Sequence, residues 1–97
     1  MSFKTMYVYF LTNKHKTVLY VGVTNNLERR IAQHREAILK NANTFCAKYN
    51  CGNLVYYETF KNSLDAISRE KELKKWSRLK KNTLIESDNP KWEFIDV

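Results

Sequence analysis

Two segments rich in β-branched and aromatic residues, MYVYFLT (Met6–Thr12) and TVLYVGVT (Thr17–Thr24), are separated only by the polar stretch NKHK. Such residues favour extended backbone, and so short a polar gap joins antiparallel neighbours, so the pair reads as a β-hairpin. Side chains alternate along a strand, which puts Tyr7 and Tyr9 on one side of the first strand. Tyr20 stands on the second, just ahead of Gly22, and a glycine inside a strand marks a place where backbone or phosphate approaches closely.

Asn25 or Asn26 can cap a following helix, with Glu28 in its first turn, where negative charge suits the helix dipole. That helix runs to about Leu39. The stretch KNANTFCAKYNCGN is a loop with room for one short turn of helix, and LVYYETF (Leu54–Phe60) is a third strand. Asn62 or Ser63 caps a second helix reaching about Lys80, with NTLIES continuing as a short third helix. After DNP, the residues Trp92, Phe94 and Ile95 read as a tail packed back on the body. The order β-β-α-β-α-α specifies an α+β fold, a small three-stranded, mainly antiparallel sheet flanked by helices.

A chain of 97 residues makes one domain (1–97), able to close a core without metal or disulfides. Two glycines and one proline leave little room for linkers. Seventeen Lys and Arg against ten Asp and Glu give a net charge of +7, which favours a polyanionic partner, above all nucleic acid. Cys46 and Cys51 lack the spacing of a zinc knuckle, and only His15 and His34 could join them, so they read as reduced, packed thiols. No apolar run resembles a signal peptide or could span a bilayer, and the expected location is the cytoplasm.

On the first helix, Leu27, Ile31, His34 and Ile38 fall in one narrow stripe, with Arg30 on its edge one turn before His34 and Arg29 opposite. Two polar groups thus share the sheet-facing side, either as a histidine satisfied at the core edge beside a snorkelling arginine or as a pair built for chemistry. The second helix has a similar pattern. Ala66, Ile67, Leu73 and Trp76 define a broad apolar face, and Glu70 projects near its middle. A carboxylate there needs a partner, either a neighbouring lysine or a divalent cation completed by phosphate oxygens and water. On an adjacent face Lys71, Lys74, Lys75 and Arg78 line up as a ridge suited to tracking phosphates.

The set resembles the GIY-YIG nuclease domain. The first motif stands here as Tyr7-Val8-Tyr9 and the second as Tyr20-Val21-Gly22, with Tyr9 and Tyr20 at the family's spacing. Arg30 falls at the place of the family's helical arginine, His34 follows one turn later, and AISREKELKKW puts the metal-binding glutamate at Glu70. YVYFLTN, LYVGVTNNLERRIAQH, LVYYE, REKELKKW and NPKW together look like the small stand-alone bacterial group of the family, over nearly the whole chain. Tyr7 replaces the first motif's glycine, and Val23 stands where excision-repair relatives carry a lysine. The family's polar residue after the glutamate falls on Asn82 or Asn89, with the NP context favouring Asn89.

The resemblance implies an endonuclease that uses Mg²⁺ or Mn²⁺ and hydrolyses phosphodiester bonds in DNA. Glu70 would hold the metal and Arg30 the scissile phosphate, while Tyr9, Tyr20 and His34 surround the attacking water. Which of those three accepts its proton stays open. Lys48 and Tyr49 would line the groove. The expected substrates are branched, nicked or single-stranded DNA, chosen by structure rather than sequence, in DNA repair or recombination. The expected state is a monomer or weak homodimer. The rival expectation is a non-catalytic nucleic-acid-binding module on the same scaffold.

Overall fold

A computed structural model describes residues 5–97, and its strands β1 (Met6–Thr12), β2 (Leu19–Thr24) and β3 (Asn53–Phe60) form one antiparallel sheet in the order β2-β1-β3. Helices α1 (Leu27–Leu39) and α2 (Phe45–Tyr49) lie between β2 and β3, and α3 (Ser63–Lys74) and α4 (Arg78–Asp88) follow β3. The expected α+β class and order hold, with α2 as a defined helix where one turn in a loop was expected. Thr44 caps it at one end, and Asn50, in the left-handed region at φ 57°, closes it at the other.

The central strand β1 splits the core between its two faces. Val8 and Phe10 pack with Val21, Val55, Tyr56, Ala66, Leu73, Ile85 and Trp92 on the side of α3 and α4. Tyr9 and Leu11 pack with Leu27, Ile31, Cys46, Cys51 and Leu54 on the side of α1 and α2. A register shift between Phe10 and Leu11 leaves Val55 as the extra residue of a bulge, because Phe10 pairs with Tyr56 but Leu11 with Leu54. The bulge lets consecutive Val55 and Tyr56 serve the same core, while Leu54 serves the other.

Three expectations change. β2 begins at Leu19, because the Asn13 side chain accepts from the Thr17 and Val18 amides and keeps those residues in the loop. The second helix stops at Lys74: Ser77 takes an extended conformation and accepts from the Lys80 amide, starting α4 afresh. The row of basic residues is therefore broken at its C-terminal end. The tail packs through Trp92 and through the Ile95 amide, which donates to the Leu54 carbonyl, whereas Phe94 is exposed beneath Lys16.

Helix α3 is clamped to β3 by Arg69, which reaches both oxygens of Glu58 at 2.9 and 3.0 Å, and Glu72 at 2.7 Å. The Tyr56 hydroxyl donates to Glu58, and Arg69 lies over the Trp76 ring. This forked arrangement fixes the rotation of α3 about its axis, and with it the position of the next residue, Glu70.

Candidate active site at the β2 edge

Strand β1 delivers Tyr9 to the α1–α2 side of the sheet, where it is fully buried, and β2 delivers Tyr20, half-buried. Tyr9 pairs across the strands with Gly22. A Cβ added at Gly22 would come within 2.4 Å of the Tyr9 Cζ and hydroxyl oxygen and 2.9 Å of the Tyr20 ring. The close approach expected at Gly22 is thus made by the Tyr9 ring. Gly22→Ala is expected to lower stability by about 1–3 kcal/mol and to push Tyr9 away from His34. Urea unfolding measures the loss, which should shrink in a Tyr9→Leu background, where the ring is gone.

Asn26 caps α1 through the Arg29 amide, and Leu27 and Ile31 dock the helix on the sheet. The same stripe carries His34 into the core edge, 7% exposed, with its Nε2 3.0 Å from the Tyr9 hydroxyl. The Tyr20 ring lies 5.2 Å from the imidazole and 6.2 Å from the Tyr9 ring. Arg30, half-buried, stands between them and Gln33, whose side-chain oxygen it reaches at 3.2 Å.

The protonation states follow from burial and from Arg30. Burial first, then Tyr20, raises the Tyr9 pKa above its ordinary value, and contact with Arg30 only partly offsets this, so the phenol is neutral. Burial alone would lower the Arg30 pKa, but bonding to Tyr9 and the nearby Tyr9 and Tyr20 oxygens outweigh it, and the guanidinium stays charged. His34 is pushed down to about 4, first by burial and then by the Arg30 charge, and is neutral at physiological pH. The Tyr9 hydroxyl and His34 Nε2 share one hydrogen bond, whose donor is set by the imidazole tautomer.

A histidine whose folded-state pKa lies below its unfolded value destabilises the fold in acid. Between about 6.5 and about 4 the unfolded chain binds more protons, so the His34 contribution is fully present above that window. It is lost as pH falls through it. Urea midpoints measured from about pH 7 to about pH 5 should decline, while the His34 imidazole resonances show no titration near the ordinary histidine pKa.

Tyr20, Arg30, Gln33 and His34 line one open cavity of about 290 Å³, closed opposite by Thr44, Phe45 and Cys46 of the α2 region. Tyr9 stands behind His34 rather than on the wall. Gln33 is legible as the residue three after Arg30 on the same helix, whereas Thr44 and Phe45 reach the cavity through the α2 fold alone. Cys46 and Cys51 are free and buried, and burial first raises both thiols, to about 12 and about 11.

Glu70 lies outside this lining, on α3, with 14% of its side chain exposed and its Oε2 2.9 Å from Lys74 Nζ. Glu70 holds the Lys74 ammonium in its charged form, and Lys74 is in turn within electrostatic reach of Tyr20. Among the described residues no three His, Cys, Asp or Glu side chains converge as a metal cage. A single carboxylate, whose Oε1 has no side-chain partner among those residues, still suits a hard divalent cation completed by water and phosphate oxygens.

The remaining expected residues divide. Tyr7 is half-buried against Tyr57, with ring centroids 6.0 Å apart. Lys48, Lys71 and Lys75 are exposed. Arg78 is engaged elsewhere: its guanidinium reaches the Thr17 and Lys16 carbonyls at 2.9 and 3.1 Å and Asn82 at 2.9 Å, joining α4 to the hairpin loop. Asn89 has a structural part, bonding Val55 and Glu93 and so tying the tail to β3.

The GIY-YIG catalytic domain family matches residues 5–83, and the chain belongs to this family of nuclease domains. A UPF0213 protein of Clostridium perfringens is 45% identical over 92 residues, covering 90% of this chain and 89% of the relative. A UPF0213 protein of Natronomonas pharaonis is 40% identical over 83 residues, covering 81% and 88%. The solution NMR structure of a UPF0213 protein from Bacillus halodurans matches with a TM-score of 0.55 at 33% identity, over 92% of this chain and 90% of that one. No helix among the described residues is long and apolar enough to cross a membrane.

Proposed function

We propose that this protein is a divalent-metal-dependent endonuclease that hydrolyses DNA phosphodiester bonds, choosing DNA by structure rather than sequence, in repair or recombination. The observation that carries the reading is the convergence of a charged Arg30, a neutral His34 and Tyr20 on one open cavity, with Tyr9 bonded to His34 behind it.

The Arg30 fork suits two oxygens of the scissile phosphate. Tyr20 and His34 face the attacking water from the wall, and its proton passes to the imidazole, which the Tyr9 hydroxyl orients through its hydrogen bond at Nε2. The imidazole holds protons weakly in the free protein, partly because Arg30 is beside it. A bound phosphate offsets that charge, so substrate itself makes His34 more basic at the moment a base is needed. Glu70 would hold Mg²⁺ or Mn²⁺, which when bound supplies positive charge at the leaving oxygen. One such site makes one cut per encounter, by a monomer or by each half of a weak homodimer. The two unpaired thiols suit a reducing compartment, and we place the enzyme in the cytoplasm.

Purified protein incubated with branched, nicked, single-stranded and intact duplex DNA is expected to cut at least one of the first three with Mg²⁺ or Mn²⁺, and none with a chelator. Salt-sensitive binding without cleavage of any substrate would assign a non-catalytic nucleic-acid-binding module instead.

A further inference from the structure

One aromatic surface lies beside the proposed catalytic cavity and takes no part in the reaction proposed above. Helix α2 exposes two large aromatic side chains, Phe45 at 46% and Tyr49 at 43%, with ring centroids 4.9 Å apart. Exposed aromatics in a short helix contribute little to the core. Here Cys46 and Ala47 already fill the buried face, and caps at Thr44 and Asn50 hold the helix without them. The rings nevertheless continue an aromatic row that begins in the cavity, since Phe45 lies 6.0 Å from Tyr20 and lines the wall with it. Lys48 is exposed on the same helix with its ammonium 5.7 Å from the Tyr49 ring centroid.

We infer that α2 is a stacking platform for unpaired nucleobases next to the scissile phosphate, and that the preferred substrate is single-stranded DNA or a single-stranded segment at a branch or nick. The inference rests on the nuclease reading above and gives it a substrate class. A phosphate held at Arg30 has the Phe45 ring on the wall of the same cavity and the Tyr49 ring next to it, and every base has a face that stacks on an aromatic side chain. Bases inside a duplex are already stacked on each other and present only their edges. Lys48 supplies the cation that follows the backbone beside the rings, in a chain of net charge +7. An acidic or apolar protein partner would use the rings without the adjoining phosphate cavity, so continuity with that cavity selects nucleic acid.

The test measures fluorescence anisotropy of fluorescein-labelled oligothymidine, alone and annealed to oligoadenosine, in a chelator so that binding is read apart from cleavage. Wild type is expected to prefer the single strand. Phe45→Ala and Tyr49→Ala should each reduce that preference by about tenfold, and the double variant by about a hundredfold. Phe45→Trp with Tyr49→Phe should restore it, which a folding defect would not allow. Equal affinity of wild type for both DNAs, no measurable binding to either, or an undiminished preference in the double variant would overturn the platform. Failure of the nuclease reading looks different: the preference and its losses persist, but no DNA is cut with Mg²⁺ or Mn²⁺.

Discussion

Glu70→Ala is expected to lower the rate of DNA cleavage by about a thousandfold or more while the protein stays folded. The reason lies in how Glu70 is held. Its carboxylate, 14% exposed, pairs with a Lys74 side chain that is 55% exposed, and a pair with one solvated partner contributes about 1 kcal/mol to stability. The anchor of α3 is the neighbouring Arg69–Glu58 pair, which the substitution leaves alone. On the proposed mechanism, removing the Glu70 carboxylate would remove the residue that holds the divalent ion, and with it the positive charge that ion would supply at the leaving oxygen, an effect of several kcal/mol. Glu70→Gln keeps the shape and loses the charge, and should fall nearly as far. Cleavage kinetics in Mn²⁺, with circular dichroism and urea unfolding on the same samples, separate the two effects. Cleavage near the wild-type rate in a folded Glu70→Ala protein would remove Glu70 from the reaction.

Arg30→Ala is expected to cost cleavage about a thousandfold as well, and with a signature that a structural role alone would not give. Arg30 sits half-buried at the cavity wall. Its charge is one of the two causes that hold the His34 pKa down at about 4, the larger being burial. Removing the charge should raise the His34 pKa partway towards the ordinary histidine value, which an imidazole titration by NMR reads directly. Arg30→Lys restores the charge and should keep the His34 pKa low. It should still cleave about a hundredfold more slowly than wild type, because an ammonium cannot grip two phosphate oxygens in the plane of a fork. An Arg30→Lys protein as fast as wild type would show that charge alone suffices.

Much of this architecture can be read from the chain, and the exceptions have physical reasons. The hairpin, the α1 stripe and the caps at Asn26 and Asn62 depend on local periodicity and turn chemistry, and all are found. The break between α3 and α4 is hidden because KELKKWSRLKK is favourable to helix throughout, and only the Ser77 side chain marks it. Ile67, placed on the apolar face of the second helix, is 39% exposed, while Ala66 and Leu73 are the helix residues that are buried. The role of Gly22 depends on cross-strand register: only when Tyr9 is known to pair with it does the missing Cβ become the space for a ring. Arg78 leaves the phosphate ridge because it bonds backbone carbonyls in the distant hairpin loop, and a charge pattern cannot show that. The candidate site residues came from the family resemblance, and their proposed division of labour rests on burial. Tyr9 is fully enclosed and bonded to His34, so it orients the imidazole from behind, while Tyr20 lines the open cavity.

The most direct test of a single site built from Tyr20, Arg30, His34 and Glu70 is a crystal structure of the protein with Mn²⁺ and a short single-stranded oligonucleotide carrying a non-cleavable linkage. Manganese should appear on the Glu70 carboxylate in place of Lys74, with the modified phosphate between the metal and the Arg30 guanidinium. Manganese bound away from Glu70, or a phosphate that avoids the cavity between Tyr20 and Arg30, would contradict it.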